Sequence, residues 1–72
     1  MVLDDLSPTQ RRVARMVAEC ATNKQIAATL GTSETAIAQH VGRIASRWKL
    51  DRSKNIRVQV ARAYLDLPSV AA

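Results

Sequence analysis

Between Leu30 and Glu34 the chain reads Gly31-Thr32-Ser33, a helix stop followed at once by a helix start. A residue just past a helix end takes positive φ cheaply only when it lacks a Cβ, so Gly31 closes the helix before it. Ser33 can cap the next one. Two helices joined by so short a turn must lie next to each other in the fold.

The flanking pattern predicts four helices. Ser7-Pro8-Thr9-Gln10 is a capping box with Pro at the first helical position, and Val13, Met16, Val17 and Cys20 then fall on one stripe. The first helix is expected from about Pro8 to Cys20, with the Cys20 thiol as an inert core group. Thr22-Asn23-Lys24-Gln25 repeats the capping-box spacing and opens a short second helix with Ile26, Ala27 and Leu30 inward. The third has the cleanest pattern, since Ile37, Val41, Ile44 and Trp48 lie at i, i+4, i+7 and i+11. From Glu34 to Trp48 it would be about 22 Å long. The second and third helices, with Gly in their turn, carry the helix-turn-helix signature.

Lys49 to Lys54 form a basic connector broken by Asp51, after which Ser53 or Asn55 can cap a fourth helix. Ile56, Val58 and Val60 alternate as a strand would, but Ile56, Val60, Ala63 and Leu67 continue at helical spacing. Val58, Ala61 and Leu65 make a second apolar stripe, one more than a small domain core needs. Met1 to Leu6 is expected as a flexible lead, 7–67 as the domain and 68–72 as a tail.

Composition supports an all-α fold. Twelve of the 72 residues are Ala, only Trp48 and Tyr64 are aromatic, and two Gly and two Pro are too few for a hairpin-rich β fold. A chain of this length buries only a thin core and has no room for a walled substrate cavity. Eleven Lys and Arg against six Asp and Glu give +5, which favours a polyanionic partner. No apolar run approaches the ~20 residues of a membrane span, and Asp4 and Asp5 stand where a signal peptide would be basic. A cytoplasmic protein without membrane attachment is expected. One Cys and one His cannot assemble a structural zinc site, and His40 has no local nucleophile partner. No metal, cofactor or enzymatic activity is expected.

The runs Leu6-Ser7-Pro8, Val17-Ala18-Glu19, Asn23-Lys24-Gln25-Ile26-Ala27, Leu30-Gly31-Thr32-Ser33-Glu34 and Ile37 through His40-Val41 resemble the LuxR-type helix-turn-helix. The chain is similar to the DNA-binding domain of LuxR, NarL and GerE transcription regulators from Leu6 to about Leu65. The resemblance implies four helices, a DNA-reading pair formed by the second and third, and a homodimer contact made by the fourth. With Met1 so close to the domain, the chain looks like the stand-alone GerE arrangement; a domain excised from a longer regulator would read identically. Three departures stand out. Ala38 and Gly42 are small where the family often has basic or polar groove-facing residues. Position 20, commonly Gly in the family, is Cys. Leu50-Asp51-Arg52-Ser53-Lys54 aligns only loosely with the family's Gly-Val-x-x-Arg-Thr turn.

The outward face of the third helix carries Thr35, Ala38, Gln39, Gly42, Arg43, Ser46 and Arg47. Gln39 is the best candidate base reader, because its carboxamide pairs bidentately with the N6 and N7 edge of adenine. Thr35 and Ala38 are candidates for thymine methyl contacts. Gly42 either lets the helix approach the groove wall or is simply tolerated. Lys24, Ser33, Arg43, Arg47, Lys49, Arg52 and Lys54 are candidate phosphate contacts, which raise affinity without specifying sequence. His40 reads as a packing or phosphate-contacting residue, and Trp48 as core. Ile56, Val60, Ala63 and Tyr64 are the first candidates for a dimer contact, with the Val58 and Leu65 stripe as the alternative. The expected function is a transcription regulator that inserts the third helix in the major groove of duplex DNA, as a homodimer. A protein-interaction module acting on RNA polymerase or another regulator is the rival reading, motivated by the small Ala38 and Gly42. Nonspecific duplex binding is a third.

Overall fold

The computed structural model describes residues 6–66. Four helices are arranged in chain order: α1 (Pro8–Ala18), α2 (Asn23–Leu30), α3 (Glu34–Arg47) and α4 (Ile56–Leu65). No strand occurs among the described residues. Helix α1 packs on α3 and α4, α2 on α3, and α3 on α4. The core they share holds Val13, Val17, Ile26, Ile37, Ile44 and Val60.

Each helix begins where its cap directs. Ser7 Oγ accepts from the Gln10 N–H at 3.2 Å while Gln10 Oε1 accepts from the Ser7 N–H, and Thr22 and Gln25 make the same reciprocal pair. Ser33 Oγ accepts from the Ala36 N–H at 3.1 Å, and Asn55, not Ser53, caps α4 through the N–H groups of Arg57 and Val58. These side chains satisfy donors that the first turn would otherwise leave unpaired. The stripe Ile37, Val41, Ile44 and Trp48 is buried along its whole length, as its spacing predicts.

The helix ends depart from expectation. Helix α1 stops at Ala18, two residues short of Cys20, and Cys20 is exposed at φ 66° rather than buried on the stripe. The Cys20 N–H donates to the Val17 carbonyl and the Ala21 N–H to the Met16 carbonyl, each at 3.0 Å, the paired bonds of a Schellman stop. Helix α3 ends the same way at Lys49, φ 55°, with Leu50 N–H on the Ala45 carbonyl at 2.8 Å. Only α2 meets this geometry with a glycine, Gly31 at φ 69°. A spacing rule counts residues along a helix and cannot register that the chain has already turned left-handed.

Leu6, expected in the flexible lead, is 3% exposed and belongs to the core, where Arg11 Nε donates to its carbonyl at 3.2 Å. The first-choice dimer stripe packs within the chain. Val60 is fully buried and Ala63 nearly so, with Ile56 and Tyr64 half-buried against the same core, so this stripe is used within the chain. Leu67, expected on the same stripe, lies outside the described residues, as do 1–5 and 68–72. Of the second stripe, Val58 and Leu65 face out, 51% and 68% exposed, while Ala61 is partly buried against the core.

Candidate nucleic-acid interface

Burying one stripe of α3 turns the opposite stripe outward. Thr35, Ala38, Gln39 and Arg43 are exposed there, and Gly42 is half-buried. Together with Ser46, Arg47 and Arg52 they line an open concavity that also takes in Gln10 from α1. Three arginines and no carboxylate line it, so the concavity is cationic, with the charge gathered toward the C-terminal half of α3 and the neutral Gln10, Thr35, Ala38 and Gln39 at the other end.

The α3–α4 connector is folded onto this surface by a set of local bonds. Gln59 on α4 clamps the Asp51 backbone from both sides, its Nε2 donating to the Asp51 carbonyl at 2.6 Å and its Oε1 accepting from the Asp51 N–H at 2.9 Å. The Asp51 carboxylate accepts from the Ser53 hydroxyl at 2.6 Å and the Ser53 N–H at 3.0 Å. These two bonds, the hydroxyl first, hold its pKa below the ordinary 3.8. The connector so fixed sends Arg52 back across α3. Its Nη1 donates to the Gly42 carbonyl at 3.1 Å and to Ser46 Oγ at 2.8 Å.

The structure therefore gathers Thr35, Ala38, Gln39, Gly42, Arg43, Arg47 and Arg52 on one surface. Lys24, Ser33, Lys49 and Lys54 are exposed but lie outside the concavity. His40 is half-buried, and its Nδ1 is enclosed without a hydrogen-bond partner among the described residues. Two lining residues were absent from the candidate contacts. Ser46 was legible on the outward stripe. Gln10 left no signal beyond its capping box, because the approach of α1 to the α3 face is set by tertiary packing.

The family model described as "GerE: Bacterial regulatory proteins, luxR family" matches residues 4–61, most of the chain. The chain belongs to the luxR family. Neither a curated protein nor a solved structure matches it. The luxR family is one of bacterial regulatory proteins, which points to DNA-binding transcription regulation, and a cationic concavity is chemically compatible with a polyanionic partner. No helix among the described residues is long and apolar enough to cross a membrane, and no group of three or more His, Cys, Asp or Glu side chains there could hold a metal ion.

Proposed function

We propose that this luxR-family chain binds duplex DNA by laying the outward face of α3 in the major groove. The observation that carries the reading is the shared concavity: Thr35, Gln39 and three arginines face the same way, with no carboxylate among them. Gln39 then reads an adenine edge, and Arg43 and Arg47 take phosphates flanking the groove. Ser33 Oγ is used as an acceptor by the Ala36 N–H, but its hydroxyl proton remains available to a phosphate oxygen. Lys24, Lys49 and Lys54, exposed outside the concavity, are further phosphate contacts in this reading.

Two subunits pair through Val58 and Leu65, which are exposed on α4, are not used by the chain's own core and do not line the concavity. Such a pair presents two α3 helices to half-sites about one helical turn apart, or slightly more.

Addition of a duplex to ¹⁵N-labelled protein tests the reading. Amide resonances of Thr35, Gln39, Arg43 and Ser46 should move first. Duplex-dependent shifts confined to α1 or α4 would contradict it, and no interaction even at low salt would favour the rival protein-binding module.

A further inference from the structure

Gly42 occupies the middle of α3, where glycine is a poor helix former, and it lies on the outward stripe. A Cβ built there would touch one group only, Arg52 Nη2, at 3.6 Å. The space that a side chain at position 42 would fill is thus bordered by a guanidinium supplied from the connector. That guanidinium is held in place. Nη1 is bound to the Gly42 carbonyl and Ser46 Oγ, and the residue preceding Arg52 is clamped by Gln59.

An arginine has five N–H donors in a planar fork. The two bonds of Arg52, a residue that lines the concavity, both use Nη1, which leaves Nε–H and the Nη2 hydrogens without a partner among the described residues. We propose that Arg52 is a base-reading residue, its Nε–H and Nη2–H pair taking the O6 and N7 acceptors of a guanine in the major groove. The inference rests on the reading of α3 as the DNA-binding helix. A phosphate tether would need only a cation with reach. Docking on the helix backbone instead fixes the fork on the outward stripe at the levels of Gly42 and Ser46, on the face proposed to meet the bases. Bidentate guanine recognition requires a fixed plane, which a lysine cannot offer.

Selection of bound duplexes from a random pool, run on the wild type, Arg52→Ala and Arg52→Lys, tests the assignment. Wild type should enrich a guanine at one position of each half-site. Both variants should lose about tenfold or more of the preference at that position while keeping the rest of the motif, and Arg52→Lys should also keep the wild-type salt dependence. Arg52→Lys decides the matter should Arg52→Ala lose helical structure. An unchanged motif in the variants, including one accompanied by uniformly weaker binding, overturns the assignment and leaves Arg52 a phosphate contact at most. A wild-type motif without guanine overturns it as well. Failure of the wild type to bind any duplex would instead remove the reading beneath it.

Discussion

Arg57, in the first turn of α4, donates to the side-chain oxygen of Asn23 at the start of α2 and, through its other terminal nitrogen, to the Ala21 carbonyl. One guanidinium thus ties the fourth helix to the turn before the second, across more than thirty residues of chain. The bond gives Asn23 a structural role within the Asn-Lys-x-Ile-Ala motif and fixes the orientation of the helix pair that presents α3. Arg57→Ala should destabilise the fold by about 2 kcal/mol, since a part-buried carbonyl and amide oxygen lose a charged donor. Denaturant unfolding of the variant checks this; a change below about 0.5 kcal/mol, the level of an ordinary surface substitution, would show that the tie carries no weight.

Cys20 sits at a left-handed position with a side chain that disfavours it. Cys20→Gly should therefore stabilise the protein by about 0.5–1 kcal/mol, the relief of strain being partly offset by the greater freedom of glycine in the unfolded chain. A rise of several degrees in the thermal midpoint is expected. A fall would mean that the thiol makes a contact worth more than the strain.

The two stripes of α4 predict opposite outcomes for the same chemical change. Leu65→Glu, at an exposed position, should leave helical content intact and abolish self-association, whereas Val60→Glu should unfold the chain, because it places a carboxylate in the core. Sedimentation and circular dichroism separate the two effects. Unaltered self-association of Leu65→Glu would exclude this stripe as the dimer contact.

Asp51 ties its connector through an acceptor that must stay ionised. Its folded pKa lies below the ordinary 3.8, so the stabilisation is complete above about that pH and is lost as pH falls through the lower folded value. A carboxyl titration followed by NMR should place the Asp51 midpoint below 3.8, and Ser53→Ala should raise it. A wild-type midpoint at or above 3.8 would contradict the geometry of the turn.

Much of the fold was legible in the residues, and the failures share a cause. The caps Ser7, Thr22, Ser33 and Asn55, and the α3 stripe from Ile37 to Trp48, obey local rules in which a side chain acts within four residues of itself. Cys20 fell outside that reach because its own side chain carries no mark of a left-handed stop, and only the family's usual Gly at that position hinted at one. Leu6 and the α4 stripes were decided by tertiary packing, which determines which of two apolar faces the core takes. The position of Arg52 on Gly42 is likewise a relation ten residues apart, bridged by a connector whose shape depends on Gln59. Composition placed Arg52 among the cations but could not say where its fork lies.

The central claim is that the outward face of α3 engages duplex DNA through Arg43 and Arg47 around Gln39. Its most direct test is the salt dependence of binding to a duplex, measured by fluorescence anisotropy for the wild type and for Arg43→Ala with Arg47→Ala. Each lost phosphate contact should lower the slope of log K against log salt by about 0.9, so the double variant should show a slope shallower by nearly 2 with its fold unchanged. A slope identical to that of the wild type would contradict the account.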